Sequence, residues 1–138
     1  MVTDVGDLLR AEVTRRAGRR CEYCLIHEDD AGFSHQVDHI ISRKHGGTSA
    51  ADNLALACVL CNRRKGSDVA SIDPGTGRVV RLFDPRRDRW ADHLSVNEEH
   101  IEPLTEVGRV TIHLLRLNSP ERLSERRLLQ ALGAYPLH

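Results

Sequence analysis

Two C-x-x-C pairs, Cys21/Cys24 and Cys58/Cys61, constrain this chain more than any other feature. Each tight turn brings two sulfurs to a common side, so two such turns can present four thiolates tetrahedrally to one zinc ion. The competing reading is four buried reduced thiols packed as small hydrophobes; the doubled i, i+3 spacing favours the metal. Residues 25–57 separate the pairs, a wider gap than a simple zinc ribbon has, so the intervening segment is expected to be a folded insert whose ends the metal clamps.

At 138 residues the chain fits one compact domain, 1–138, and only 4% of its residues are aromatic. The core must therefore be built mostly from Leu, Val, Ile and Ala, and small cores of that kind are often stapled. The 20 basic and 20 acidic residues cancel, so bulk charge does not announce a polyanionic partner. Distribution says more: from Asn62 to Trp90, eight basic residues face four acidic ones, which marks a candidate phosphate-facing segment. No run of about 18 apolar residues is present to span a bilayer, and Met1-Val2-Thr3-Asp4 lacks the basic-then-apolar pattern of a signal peptide. A soluble protein of the cytoplasm with no membrane association is expected, and in that reducing compartment paired cysteines read as metal ligands rather than disulfides.

Along the chain, Leu9, Val13 and Ala17 fall four apart and Gly18 follows, which predicts an N-terminal helix within residues 1–20. The run Val37-Asp38-His39-Ile40-Ile41 is β-branched and reads as a strand that Gly46-Gly47 ends. Leu54 to Ala57 returns to apolar sequence, and the second knuckle runs into a short polar helix from Asn62 to Lys65. Beyond it, Asp73-Pro74-Gly75-Thr76-Gly77 is a turn and Arg78 to Phe83 alternates like an edge hairpin strand. Short strands are expected around His93 to Val96 and Ile101 to Leu104. Thr105 can cap a helix bearing Val107, Val110, Leu114 and Leu117 on one face, and Ser119-Pro120 opens a last helix closed by Gly133.

Inside the clamped insert lies the pair Asp38-His39. A carboxylate is a hard oxygen ligand for Mg²⁺, and a neutral imidazole with a pKa near 6.5 can take a proton from water. Successive strand side chains point to opposite faces, so a local bend or a strand end must bring the two to one site. Alone, the pair reads equally as a surface turn or a satisfied core histidine. His35, four residues earlier, could be an auxiliary ligand, although a solvent-exposed strand histidine is the simpler expectation.

Other residues follow in order: Gly46-Gly47, Asn53-Leu54, and Cys58-Val59-Leu60-Cys61-Asn62-Arg63-Arg64-Lys65-Gly66. This series, densest from Cys21 to Asp68, resembles the HNH endonuclease family. The region from Leu82-Phe83-Asp84-Pro85-Arg86 through Trp90, His93, Thr105 and Gly108-Arg109 resembles a C-terminal extension found in one bacterial branch of that family. The resemblance implies an α+β fold, a ββα-metal (His-Me) finger over 21–68 clamped by a four-cysteine zinc site, with a short β-hairpin and helical extension over 69–138 packed on it. It implies His39 as general base, Asn53 as the residue that holds the loop and orients His39, and Asp38 with Asn62 as ligands of the catalytic ion. The third motif position, commonly His, is Asn62 here, so the pattern is H-N-N. An amide oxygen suits Mg²⁺ or Mn²⁺ better than zinc. Arg63, Arg64 and Lys65, following on the same helix, would grip phosphates, with a solvated helix end as the alternative reading.

The expected activity is metal-dependent hydrolysis of nucleic-acid phosphodiesters, with double-stranded DNA as the substrate by analogy with most of the family. Two alternatives stand beside it: a non-catalytic zinc module that binds nucleic acid through the Arg-rich segment, and a zinc scaffold with no nucleic-acid role.

Overall fold

A computed structural model describes residues 5–136, so the signal-peptide expectation read from residues 1–4 falls outside the described residues. Mixed helices and two-stranded antiparallel sheets form two compact units that meet in sequence between Asp68 and Val69. Among the described residues no helix is long and apolar enough to cross a membrane.

The first unit begins with helix α1 (Asp7–Arg16), as the four-residue spacing predicts. The first knuckle follows, and then β1 (Gln36–His39) pairs antiparallel with β2 (Leu54–Ala57), in register Gln36↔Ala57 to His39↔Leu54. Strand alternation gives the hairpin two faces. Leu54 and Leu56 share a core with Val5 and Val13, against which Leu9, Ala17 and Val37 pack. Arg16 ties α1 to the hairpin by donating to the carbonyls of Ala51 at 2.9 Å and Leu54 at 2.6 Å. Helix α2 (Val59–Lys65) begins three residues before the expected polar segment, because the Cys58 sulfur accepts the Cys61 amide and caps its first turn.

In the second unit, β3 (Ala70–Ile72) and β4 (Val79–Arg81) form a hairpin around the Asp73–Gly77 turn. Asp73 is fully buried and accepts both a bidentate pair from Arg109 at 2.7 Å and the Gly75 amide at 3.0 Å. A one-turn helix, α3 (Trp90–His93), leads into β5 (Leu94–Asn97) and β6 (His100–Pro103). Thr105 caps α4 (Glu106–Leu115) by accepting the Gly108 amide at 3.1 Å. Pro120 opens α5 (Pro120–Ala131), and Gly133 follows with φ +70°. Thr111, buried in α4, accepts the Phe83 amide at 2.9 Å and donates to the Val107 carbonyl at 2.7 Å. That arrangement leaves no orphaned polar group at this point of the core.

Candidate active site

All four cysteines are buried reduced thiols, and their sulfurs lie within 4.8 Å of one another. Four ligands at about 2.3 Å from a zinc ion stand about 3.8 Å apart at tetrahedral angles, and the Cys24 and Cys58 sulfurs are 3.8 Å apart. Each knuckle closes by an amide-to-sulfur bond of 3.4 Å, Cys24 N to Cys21 Sγ and Cys61 N to Cys58 Sγ. Burial pushes the Cys21 thiol well above the ordinary cysteine value. A dication bound among the sulfurs reverses that balance and lets the thiols ionise. The set therefore fits zinc.

The knuckles hold the ends of the hairpin segment. Glu22, inside the first knuckle, accepts the Leu56 amide at 2.8 Å, and its own amide donates to the Leu56 carbonyl at 2.8 Å. Helix α2 leaves the second knuckle and lies over the β1 face carrying Gln36 and Asp38. On α2, Asn62 and Lys65, one turn apart, meet these two residues: Asn62 donates to the Gln36 side-chain oxygen, and Lys65 pairs with Asp38.

Asp38 is only 4% exposed. Its carboxylate accepts the Tyr23 hydroxyl at 2.7 Å and the Lys65 ammonium at 3.3 Å. Burial raises the Asp38 pKa, against the lowering effect of Lys65 and the Tyr23 hydrogen bond. Burial, then the Asp38 charge, pushes the Tyr23 hydroxyl well above its ordinary value. Lys65 is 2% exposed and also donates to the carbonyls of His39 at 3.2 Å and Ile40 at 3.1 Å. The sequence puts Lys65 on a phosphate-facing helix end; the structure puts its ammonium inside, with three protein acceptors. Arg63 is exposed and Arg64 half-buried.

His39, half-buried, closes β1, and its Nε2 lies 3.0 Å from the Ser49 hydroxyl. Asn53 governs the loop between them. Its Oδ1 accepts the Ile41 amide at 2.9 Å, and its Nδ2 donates to the carbonyls of Ile41 at 2.9 Å and Thr48 at 2.7 Å. Asn53 thus fastens both ends of the 41–48 loop and fixes the approach of Ser49 to His39. Gly46 turns that loop with φ +89°, and Gly47 has no room for a side chain, since a Cβ there would fall 1.7 Å from the Ile41 carbonyl oxygen.

Several residues lie elsewhere than the sequence suggests, or were not singled out by it. His35 is 2% exposed rather than solvent-facing, its Nε2 bonded to the Ile26 carbonyl at 2.9 Å. The positive excess from Asn62 to Trp90 is partly neutralised within the chain: Arg78 pairs with Glu106 at 2.9 Å, and Arg81 with Asp88 at 2.7 Å. Tyr23 and Ser49 were not singled out; the only signal for Tyr23 is its place within the C-x-x-C turn.

A sulfur cluster positioned for a metal ion, the hairpin between its two halves and a helix carrying polar residues over that hairpin define a candidate site of mixed helix and strand. Residues 21–68 match the HNH endonuclease family, over about a third of the chain, which ties this segment to nuclease-type, nucleic-acid-related function. No curated protein and no solved structure matches the chain.

Proposed function

We propose that the protein is a metal-dependent endonuclease that hydrolyses phosphodiester bonds of nucleic acid, with double-stranded DNA as substrate. The reading treats β1, β2 and α2 as a ββα-metal finger stapled by zinc on Cys21, Cys24, Cys58 and Cys61, with 69–138 as an extension serving the same domain. Four reduced thiols at metal spacing support a cytoplasmic protein.

The carrying observation is the His39–Ser49 contact on a loop fastened by Asn53. With the Ser49 oxygen accepting from Nε2–H, the imidazole presents Nδ1 as its basic nitrogen. Nδ1 takes a proton from the water that attacks phosphorus in line. Asn53 keeps the ring in place by holding the loop on which Ser49 sits. Asp38 and Asn62 offer a carboxylate and an amide oxygen from facing elements, a donor set that suits Mg²⁺ or Mn²⁺, and Asp38 Oδ1, which accepts only from Lys65, keeps a further lone pair. When bound, that ion supplies charge neutralisation at the phosphorane and the leaving oxygen. Arg63 and Arg64 grip neighbouring phosphates without reading sequence.

The buried Asp38–Lys65 pair favours a second reading, a non-catalytic zinc module that binds nucleic acid, because it engages the expected metal carboxylate internally. Asn62 separates the two. Asn62→Ala should need much more Mg²⁺ for residual plasmid cleavage, and Asn62→His should regain activity with an altered metal preference. Identical metal dependence in all three proteins overturns the assignment of Asn62, and absence of cleavage by the wild type leaves the zinc module.

A further inference from the structure

We propose that Lys65 is a positioning residue for the site, an internal tether that sets the geometry of β1 at Asp38 and His39 rather than a phosphate contact. The inference rests on the nuclease reading above for its kinetic consequence and on geometry alone for its structural one.

A lysine ammonium has three N–H donors and normally keeps them in water. At Lys65 all three find protein acceptors: Asp38 Oδ1 at 3.3 Å, the His39 carbonyl at 3.2 Å and the Ile40 carbonyl at 3.1 Å. The side chain is 2% exposed, so no donor is left for a polyanion outside. These acceptors are three consecutive residues at the end of β1, where the strand hands over to the Asn53-fastened loop. The tether joins them to α2, the helix that begins at the zinc knuckle and carries Asn62. Tyr23, from the first knuckle, donates to Asp38 Oδ2 at 2.7 Å, an oxygen that the Lys65 ammonium also approaches at 3.3 Å. Tyr23 in the first knuckle and Lys65 on the helix that leaves the second each reach Asp38, and Lys65 also grips the consecutive carbonyls of His39 and Ile40. Fixing the His39 carbonyl fixes the peptide plane from which the imidazole departs, and misplacement of a reacting group by about 1 Å can lower a rate some 10²-fold. Removing a supporting partner of this kind typically lowers activity about 10–100-fold.

The test compares Lys65→Met and Lys65→Gln with Arg63→Ala, each as the full-length zinc-loaded chain. On double-stranded DNA, both Lys65 variants should bind within about twofold of wild type with an unchanged salt slope, whereas Arg63→Ala should weaken binding and shallow that slope by about one phosphate contact. Single-turnover cleavage by the Lys65 variants should fall about 10–100-fold, with Gln retaining more than Met because it keeps donors. A readout independent of cleavage is the imidazole ¹⁵N spectrum of His39 at one fixed pH. The Nε2 resonance bonded to Ser49 should move in both Lys65 variants and stay put in Arg63→Ala, even if the wild type proves not to cleave. Loss of DNA affinity parallel to Arg63→Ala overturns the proposal, as do wild-type cleavage or an unmoved His39 resonance. Failure of both Lys65 variants to fold with zinc overturns it too, in favour of a purely structural role.

Discussion

Gly47→Ala tests the loop that carries Ser49 to His39, through a single methyl group. Against about 3.3 Å for a close carbon–oxygen contact, the new Cβ would lie 1.7 Å from the Ile41 carbonyl oxygen, so one of the two must retreat by roughly 1.6 Å. The same Cβ would meet Asn53 Nδ2 at 2.9 Å, so the amide that fastens the loop is pressed from the same side. Retreat of that size breaks the 2.9 Å bond from Asn53 to the Ile41 carbonyl and disturbs the 2.9 Å bond from the Ile41 amide. At about 1 kcal/mol per bond, with strain added, the loop loses roughly 2–3 kcal/mol. The whole first unit, of 68 residues, has roughly 3–10 kcal/mol of stability at ordinary per-residue values. The unit should therefore stay folded with zinc while the loop opens. Amide exchange should accelerate at Ile41 and Gly47 by about 30–160-fold, and cleavage should drop about 10²-fold. Gly46→Asn is the control: Gly46 has φ +89° with open space about it, and Asn tolerates that conformation. A Gly47→Ala protein with wild-type exchange at Ile41 and wild-type cleavage would refute the reasoning.

Two further predictions follow from the staple and from the second unit. Cys58→Ser should abolish stoichiometric zinc binding and unfold the first unit, because the aliphatic cluster there is small and metal binding supplies folding free energy; metal analysis with circular dichroism reads both, and a zinc-free fold of full stability contradicts the staple. In the second unit, the Arg109 guanidinium beside Asp73, helped by the Gly75 amide, holds that carboxyl well below the usual carboxylate range. A depressed value stabilises the fold at pH above the ordinary Asp pKa of about 4 and is lost on acidification below it. The melting temperature of the second unit should therefore fall on acidification in the wild type and fall less in Asp73→Asn; equal pH slopes would remove the pair from the account.

Features set by local sequence were legible, and those set by distant partners were not. The two knuckles, the Thr105 cap, the Pro120 opening and the Gly133 stop all act within a few residues of themselves, and each stands where the sequence indicates. Strand β3, at three residues, is too short to carry an alternation pattern. The start of α2 was displaced because a metal-site sulfur, not a usual capping side chain, accepts its first-turn amide. Lys65 and His35 are residue types that normally face water, and only partners 9–27 positions away turn them inward. Ser49 carries no pattern of its own: its contact with His39 exists because Asn53 folds the loop back, and the motif names the fastener without naming what it delivers.

The central claim is that His39 performs chemistry on nucleic acid, and the most direct measurement sets His39→Ala beside wild type on supercoiled plasmid with Mg²⁺ or Mn²⁺. Zinc content and DNA affinity should be unchanged, because the imidazole contributes to neither the sulfur cluster nor the phosphate contacts. Cleavage should fall by roughly 10²–10⁴-fold, the usual contribution of a general base. Cleavage by His39→Ala at the wild-type rate, in preparations free of contaminating nuclease, would contradict the account and leave the chain a zinc-stapled binding module.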